Sequence, residues 1–306
     1  MYLIADAAGP IGRAVTEQLL GQGQLVRILT TDVECRNLWR GRGAELNEGD
    51  PRHASSWNKA LEGVNTALLI APPYSNENGS LKDSTAYHSA LIDALSQTKE
   101  KPKILFLSAL GAKGAHGWAS SLGELESELS KLCPDLTVIR PAFLMENLAP
   151  ALSMAKHHSV FPSFLAEKVA FPMVSQRDLV SVLVAAIVDP IEGHHLMELH
   201  GAEPYDLSEI IEAGHNVLTK HIASLSLPED QWQSIMEDQG LSSESAKLWI
   251  AYYQAMNAGY IKPDPKATPL AGETALSDAL FQIWKSIRQS ERAAIDPERK
   301  IHESLG

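Results

Sequence analysis

The sequence predicts an α/β protein: a doubly wound parallel sheet with a smaller, mainly helical C-terminal lobe. Strand-like and helix-like segments alternate from the first residue, and a turn of small residues with two glycines follows the first strand. Residues 66–71 form a run that is apolar after its first residue, Thr66, which is typical of a parallel strand covered on both faces. Regular alternation of this kind builds βαβ units, so we expect the strands to run parallel.

The individual elements follow from hydrophobic spacing and from end signals. Ile11, Val15 and Leu19 recur at helical spacing and are followed by two glycines, which predicts a first helix over residues 11–20. The expected strands are residues 1–5, 25–30, 44–46, 66–71, 104–107, 136–139 and 195–199. The other main expected helices are residues 82–96, 122–132, 179–188 and 246–256.

The chain is expected to divide into two parts. Residues 1–155 form the predicted Rossmann-like sheet domain, and residues 174–200 return to it. Residues 156–173 and 201–306 form the smaller, substrate-binding lobe. The division reflects a change of character beyond roughly His221, where acidic helical segments replace the alternation.

Composition limits the classes of partner and compartment. A net charge of −12 argues against nucleic acid or an anionic membrane, because both require clustered Lys and Arg. Cys35 and Cys133 lie far apart and without metal-ligand spacing, so we expect neither a disulfide framework nor a metal site. Without signal-peptide features or a long apolar run, a soluble cytoplasmic protein is expected. Glu124, Glu126 and Glu128 are expected to form a solvated helix face.

The first turn carries the clearest functional signal. Residues 6–12 follow the first strand and open the first helix, with Gly9 and Gly12 three residues apart. A strand, a glycine turn and a helix in this order form a Rossmann unit, which aims backbone N–H groups and a helix N-terminus at a dinucleotide pyrophosphate. Gly9 lets the cofactor approach the backbone, and Gly12 lets the helix pack close to the strand. Ala8 and Ile11 complete the predicted turn.

Asp6 stands where the looser G-x-x-G-x-x-G pattern has its first glycine. A glycine at this position leaves room for a phosphate, whereas an ionised carboxylate places negative charge beside a negatively charged ligand. Two interpretations remain open. Either Asp6 turns its carboxylate onto the N–H groups of its own loop as a turn residue, or dinucleotide binding is weakened or lost.

The end of the second strand decides the choice of cofactor in such a fold. An acid there binds the ribose hydroxyls of NAD, while an Arg accommodates the 2′-phosphate of NADP. Here Thr30 and Thr31 precede Asp32, which also suits a helix cap, and Arg36 and Arg40 follow on the next helix. The sequence therefore leaves NADP, NAD and no cofactor all open.

The other strand ends extend the predicted crevice, because ligands of doubly wound sheets bind at the carboxyl ends of the strands. Asp50, after the third strand, suits either an acceptor for the adenine amino group or the N-cap of the following helix. The further cofactor-binding candidates at strand ends are Ala71, Pro72 and Ser108.

Several segments together resemble the NmrA-like family of atypical short-chain dehydrogenases. They are residues 7–12, 48–50, 107–112, 140–148 and 174–179, in family order and spacing over roughly residues 1 to 220. The resemblance implies a Rossmann domain, a small lobe over the cleft and NAD(P) as the ligand. We add Phe143, from the most specific of these segments, to the cofactor-binding candidates.

The chain departs from the family where catalysis is decided. The Tyr-x-x-x-Lys pair of ordinary short-chain dehydrogenases has no counterpart near residues 118–126, and a lysine of related reductases falls close to Leu122, which transfers no proton. His116 is the candidate proton-handling residue, although a surface histidine fits the same loop. The candidates for substrate contacts, whose apolar members equally suit the core, are Tyr74, Trp118, Met145 and Asn147.

Three functions fit these observations. The favoured hypothesis is an NAD(P)-dependent oxidoreductase that transfers a hydride from nicotinamide to an apolar or aromatic small molecule. The second is a nucleotide-sensing regulator without turnover that binds a protein partner. The third keeps the fold without the cofactor and acts as an isomerase, cyclase or lyase, an idea motivated by Asp6 and Thr31. A small-molecule substrate is the expected partner, together with a homodimer mate or another protein.

Overall fold

The computed structural model describes residues 1–71, 81–114 and 116–295. The strands are β1 (Tyr2–Ile4), β2 (Val26–Thr30), β3 (Glu45–Glu48), β4 (Thr66–Ile70), β5 (Lys103–Leu107), β6 (Leu136–Pro141), β7 (Phe143–Leu144), β8 (Val160–Ser163), β9 (Phe171–Val174), β10 (His194–His200), β11 (Pro204–Tyr205), β12 (Ala223–Ser226) and β13 (Thr268–Ala271). The helices are α1 (Pro10–Gly21), α2 (Val33–Trp39), α3 (Ala54–Leu61), α4 (Leu81–Gln97), α5 (Ala119–Leu132), α6 (Ala149–His158), α7 (Gln176–Val188), α8 (Leu207–Leu218), α9 (Trp232–Asp238), α10 (Ser243–Asn257) and α11 (Leu276–Ile295).

The described strands build one large parallel sheet of eight strands in the order β13-β10-β6-β5-β4-β1-β2-β3. Every pairing within it is parallel. The strand order reverses between β1 and β4, so the topological switch point, where ligands of such sheets bind, lies beside the turn that follows β1. The predicted class, a doubly wound Rossmann sheet, is confirmed.

Side chains alternate between the two faces of the sheet and build a core on each. Leu3 and Phe106 belong to the core that packs against α3, α4 and α5. Ile4 and Leu105, their chain neighbours, belong to the core on the other face, with α1, α2 and α7. All five residues of β4 are buried, as a strand covered on both faces requires. The sheet is therefore covered by helices on both sides.

The smaller structural region surrounds two minor sheets. One has the strand order β11-β9-β7, and the other pairs β12 with β8. Helices α6 and α8 both pack against α11. β13 lies in the segment that the sequence assigns to the smaller lobe, yet it pairs with β10 at the edge of the large sheet. The remaining domain boundaries stay a prediction.

The predicted elements are confirmed, with shifts of a few residues at their ends. The third strand covers residues 45–48 rather than 44–46, and α5 begins at Ala119 rather than at residue 122. Pro72 and Tyr74, two candidates for ligand contacts, lie outside the described residues. Within the described part of the chain, no helix combines the length and apolar character that crossing a bilayer requires.

Candidate functional site

The glycine turn connects β1 to α1 across residues 5–9. A Cβ added to Gly12 would lie 1.6 Å from the carbonyl oxygen of Asp6, so only glycine allows α1 to pack this closely on the strand end. Pro10 occupies the start of the helix, and no side chain in the described residues caps it. The N-cap residue Gly9 contributes no side-chain acceptor to the first N–H groups of α1, which a dinucleotide diphosphate would use.

Asp6 turns its carboxylate back onto this turn. Its Oδ1 accepts a hydrogen bond of 3.1 Å from the N–H of Gly9. Burial raises the pKa of the carboxyl, while the amides of Gly9 and Ala8 oppose that rise. A Cβ on Gly9 would lie 2.4 Å from Asp6 Oδ2, so the carboxyl fills the space beside this glycine. The interpretation of Asp6 as a turn residue is confirmed, and weakened dinucleotide binding stays a prediction.

The turn therefore has one feature that favours a bound diphosphate, at the start of α1, and one that opposes it, at Gly9. The uncapped start of α1 and the close approach at Gly12 match the geometry that a pyrophosphate needs. The amide of Gly9, in contrast, already has a partner. Ala8 is exposed at the edge of the turn and Ile11 is half-buried against the core.

The end of β2 is organised by local hydrogen bonds. Thr30 is buried, and its Oγ1 accepts the N–H of Asp32 at 3.0 Å, whereas Thr31 is exposed. Asp32 is the N-cap of α2, because its Oδ1 accepts the N–H groups of Glu34 at 2.6 Å and of Cys35 at 3.1 Å. The capping role proposed for Asp32 is confirmed.

Asp50 is held by a neighbour in the sequence. Its carboxylate accepts the backbone N–H of Arg52 at 2.9 Å and the guanidinium Nη2 at 2.8 Å. The side chain of Arg52 accordingly lowers the pKa of Asp50. Helix α3 begins only at Ala54 with His53 as its N-cap, so the predicted N-cap role of Asp50 is wrong. The helix starts four residues after Asp50, and the Asp50 carboxylate binds Arg52 instead. Its role as an adenine acceptor remains a prediction.

Ser108, at the exit of β5, joins a buried charged group. Its Oγ donates a short hydrogen bond to Glu126 on α5. Arg140 on β6 donates to both oxygens of the same carboxylate, at 2.9 Å through Nε and 2.5 Å through Nη2. Glu198 and Asp264 lie 3.6 Å and 3.5 Å from the Arg140 guanidinium. Ser108 follows β5 and Arg140 lies near the end of β6, so this buried cluster lies at the carboxyl ends of these strands, where the crevice is predicted.

The expectation that Glu126 faces solvent is wrong. Its side chain is 11% exposed, and that of Arg140 is 6% exposed. A buried guanidinium needs a carboxylate partner, and Glu126 is the residue of α5 that reaches it. Burial opposes the charge on Arg140, but the carboxylates of Glu126, Glu198 and Asp264 outweigh it and raise the pKa of the guanidinium. Glu124 and Glu128 are exposed as expected.

His116 lies apart from the glycine turn. Its ring stacks on Tyr260, with centroids 6.1 Å apart and planes inclined by 19°. It lines a cavity of about 190 Å³ together with Lys113, Arg140 and Asp264, and no residue of the glycine turn lines this cavity. Its proton-handling role stays a prediction.

Five aromatic residues form a surface that we call the aromatic wall: Trp118, Phe143, Phe164, Trp249 and Tyr253. Ring centroids are 5.1 Å apart for Trp118 and Trp249, 6.1 Å for Trp249 and Tyr253, and 5.1 Å for Phe164 and Tyr253. Phe143 joins at 6.2 Å from Tyr253 and is buried. The other four keep part of their surface exposed. Trp118 lies in the segment after β5 and Phe143 lies just after β6, so the wall lies on the side of the sheet where these two strands end.

The remaining predicted site residues differ in their exposure. Ala71 is half-buried after β4, Met145 is fully buried in the core, and Asn147 is exposed. Two contributions were missed by the sequence. Trp39 donates its Nε1–H to the carbonyl of Ala7 at 3.1 Å and so anchors the glycine turn. Phe164 enters the aromatic wall from the loop after β8. Nothing local in the sequence connects either residue to its partners.

A doubly wound parallel sheet with a glycine turn at its switch point defines a Rossmann-type protein. The chain belongs to the NmrA-like family, whose sequence profile matches residues 2–264. It is 23% identical over 252 residues to prestalk A differentiation protein A of Dictyostelium discoideum, covering 80% of this chain and 78% of that protein. It is 23% identical over 279 residues to the NAD(P)H azoreductase of Xenophilus azovorans, covering 88% and 93%.

The fold is also similar to solved structures. The NADPH-dependent quinone oxidoreductase of Escherichia coli, crystallised with NADPH, superposes with a TM-score of 0.78 and 20% identity, covering 93% of this chain and 100% of that one. This similarity concerns the fold, and it agrees with the parallel sheet that helices cover on both faces.

Proposed function

We propose that this chain is an NAD(P)H-dependent reductase that delivers a hydride to an apolar or aromatic small molecule. The observation that carries the proposal is the aromatic wall, which adjoins the carboxyl ends of β5 and β6, on the sheet edge that also bears the glycine turn. Stacking faces of this kind bind planar aromatic compounds. Two of the similar proteins reported above are named as an NAD(P)H azoreductase and an NADPH-dependent quinone oxidoreductase, and these names give azo compounds and quinones as the acceptors of those proteins.

The proposal assigns separate tasks to separate residues. The uncapped N-terminus of α1 and Gly12 would hold the cofactor diphosphate, and the bound nicotinamide supplies the hydride. Trp249 and Tyr253 would orient the acceptor, and His116 is the candidate source of a proton for acceptors that require one. In this scheme residues 1–155 and 174–200 bind the cofactor, and the smaller lobe contributes α10 to the substrate pocket.

One observation supports a different function. Asp6 already occupies the amide of Gly9 and adds negative charge to the turn, which favours an enzyme that has abandoned the cofactor. Calorimetric titration with NADH and NADPH separates the two. Binding of neither nucleotide would favour the non-redox function. Binding without reduction of any acceptor would favour the regulator.

Turnover is tested with an azo dye and a quinone, following the loss of reduced nucleotide. Replacing Trp249 by Ala should raise KM for both acceptors by about tenfold, because one stacking partner of the acceptor is lost. Nucleotide affinity should not change. Trp284→Ala serves as the control, since this half-buried tryptophan on α11 stacks on Phe281, which is not a residue of the wall. Equal effects of the two substitutions would contradict the role of the wall.

A further inference from the structure

The residues around the end of β2 bear on a question the sequence leaves open, the choice between NAD and NADP. Recognition of a 2′-phosphate needs a cationic side chain near this strand end. Arg36 lies one helical turn beyond Asp32 on α2, on the same face of the helix. Its Nη1 is paired with Glu48, the last residue of β3. A 2′-phosphate would therefore have to displace a carboxylate to reach this guanidinium.

Other arginines near this edge are also unsuited to the task. Arg52 is bound to the carboxylate of Asp50. Arg40 ends α2, eight residues after Asp32, which corresponds to a helix rise of roughly 12 Å. Of these three arginines, Arg36 and Arg52 are thus paired with carboxylates and Arg40 is remote.

Carboxylates surround the same strand end. Asp6 lies in the glycine turn, Asp32 at the start of α2 and Glu48 at the end of β3, and β1, β2 and β3 are adjacent in the sheet. Burial raises the pKa of the Cys35 thiol; the Thr30 side chain opposes this, and the charges of Asp32 and Asp6 raise it further. Two of these carboxylates therefore act on one buried group between them. A 2′-phosphate, with close to two negative charges, would enter this field at a cost.

Asp32 also offers a hydrogen-bond acceptor for a ribose that carries no 2′-phosphate. Both of its capping bonds go to Oδ1, so Oδ2 takes no part in the cap. The residue follows Gly12 by 20 positions, the separation at which dinucleotide-binding folds place the acid that accepts the ribose hydroxyls. The side chain is exposed at the strand end.

We propose that this chain selects NAD(H) over NADP(H): Asp32 accepts the adenosine ribose hydroxyls, and Glu48 holds Arg36 in an ion pair that withholds it from a 2′-phosphate. The inference rests on the proposed function, because it concerns the cofactor of the same site. It sets the chain apart from the Escherichia coli quinone oxidoreductase, which was crystallised with NADPH.

The test is calorimetric titration of the full chain with NADH and with NADPH. NADH should bind at least about tenfold more tightly at low ionic strength, and added salt should narrow the difference, because it screens the carboxylates. Glu48→Gln should strengthen NADPH binding by about tenfold and leave NADH binding nearly unchanged, because it releases Arg36. Thermal melts of each variant verify that it is folded.

Two further variants sharpen the result. Glu45→Gln removes the same charge from the other end of β3, where Glu45 pairs with Arg27 at 2.7 Å, and should change neither affinity. Asp32→Ser keeps a side chain able to cap α2 but removes the ribose acceptor. It should weaken NADH binding by about tenfold, the amount expected for a lost charge-assisted hydrogen bond.

Each outcome decides a separate point. Equal or tighter binding of NADPH would overturn the selectivity and leave the proposed reductase intact. If Glu48→Gln behaves like Glu45→Gln, the role of Glu48 is wrong. Binding of neither nucleotide would instead remove the proposed function itself, so the two failures are distinguishable.

Discussion

Asp6 places a carboxylate against the amides that a bound diphosphate would use. The side chain accepts the N–H of Gly9, and burial raises the pKa of the carboxyl. An anion arriving at the start of α1 would raise this pKa further, because like charges disfavour the ionised form. Binding and protonation of Asp6 should therefore favour each other. The residue that departs most from the glycine pattern thus becomes a source of pH dependence.

We expect NADH to bind with uptake of a proton and more tightly as the pH is lowered, since lower pH favours the neutral Asp6 carboxyl. Asp6→Asn keeps an oxygen that can accept the Gly9 N–H but removes the charge, so its affinity should vary little with pH. Calorimetry in two buffers of different ionisation enthalpy measures the proton uptake. Glu17→Gln, on the exposed face of α1, is the control and should retain the wild-type slope. A pH dependence shared by Asp6→Asn and the wild type would refute the coupling.

The contact between α5 and β6 depends on one glutamate among three that look alike in the sequence. Glu124, Glu126 and Glu128 share chemistry and helix, but only Glu126 reaches Arg140. The pair lies where Ser108 leaves β5, so it fixes the helix and two strands relative to one another. It thereby stabilises the carboxyl ends of β5 and β6, beside which the proposed substrate pocket lies.

Glu126→Gln should lower the free energy of unfolding by about 3–5 kcal/mol, because it leaves the buried guanidinium without its bidentate partner. The remaining carboxylates, Glu198 and Asp264, should keep the loss toward the lower end of this range. Glu124→Gln, on the exposed face of the same helix, should change stability by less than about 0.5 kcal/mol. Urea unfolding of the two variants measures both values. Equal stabilities would show that the ion pair contributes nothing.

Local patterns explain what the sequence could and could not predict at the level of elements. The strands, the helices and the cap at Asp32 are defined by residues close to one another in the sequence. The sequence therefore predicts them with small errors at their ends. The partner of Glu126 lies 14 residues away in the chain and on another element. The predicted N-cap at Asp50 is wrong because α3 begins only at Ala54, and the Asp50 carboxylate binds Arg52 instead. Long-range pairing is fixed only when the sheet is assembled.

The large sheet is completed by a segment beyond the family match. That match ends at residue 264, while β13 pairs with the edge of β10, and α11 buries Leu276, Leu280 and Ile283. This part of the chain is therefore integral to both the sheet and the core of the molecule.

A chain ending at residue 264 should lose its cooperative thermal transition and aggregate, because it exposes the β10 edge and the apolar surface that α11 covers. Circular dichroism melts and size-exclusion chromatography test this. Leu280→Ala in the full chain provides the matched comparison. It should stay folded with a loss of about 2–5 kcal/mol, the usual cost of such a cavity. A sharp melt of the shortened chain would show that α11 is dispensable.

The late position of β13 also has a consequence for biosynthesis. Strand β10 leaves the ribosome about 70 residues before its partner, an interval of roughly 3 to 14 seconds at ordinary elongation rates. During that time β10 has no strand partner on the side where β13 later pairs. We therefore expect translation speed over this stretch, and any chaperone at the exit tunnel, to influence how much of the newly made protein reaches its folded state.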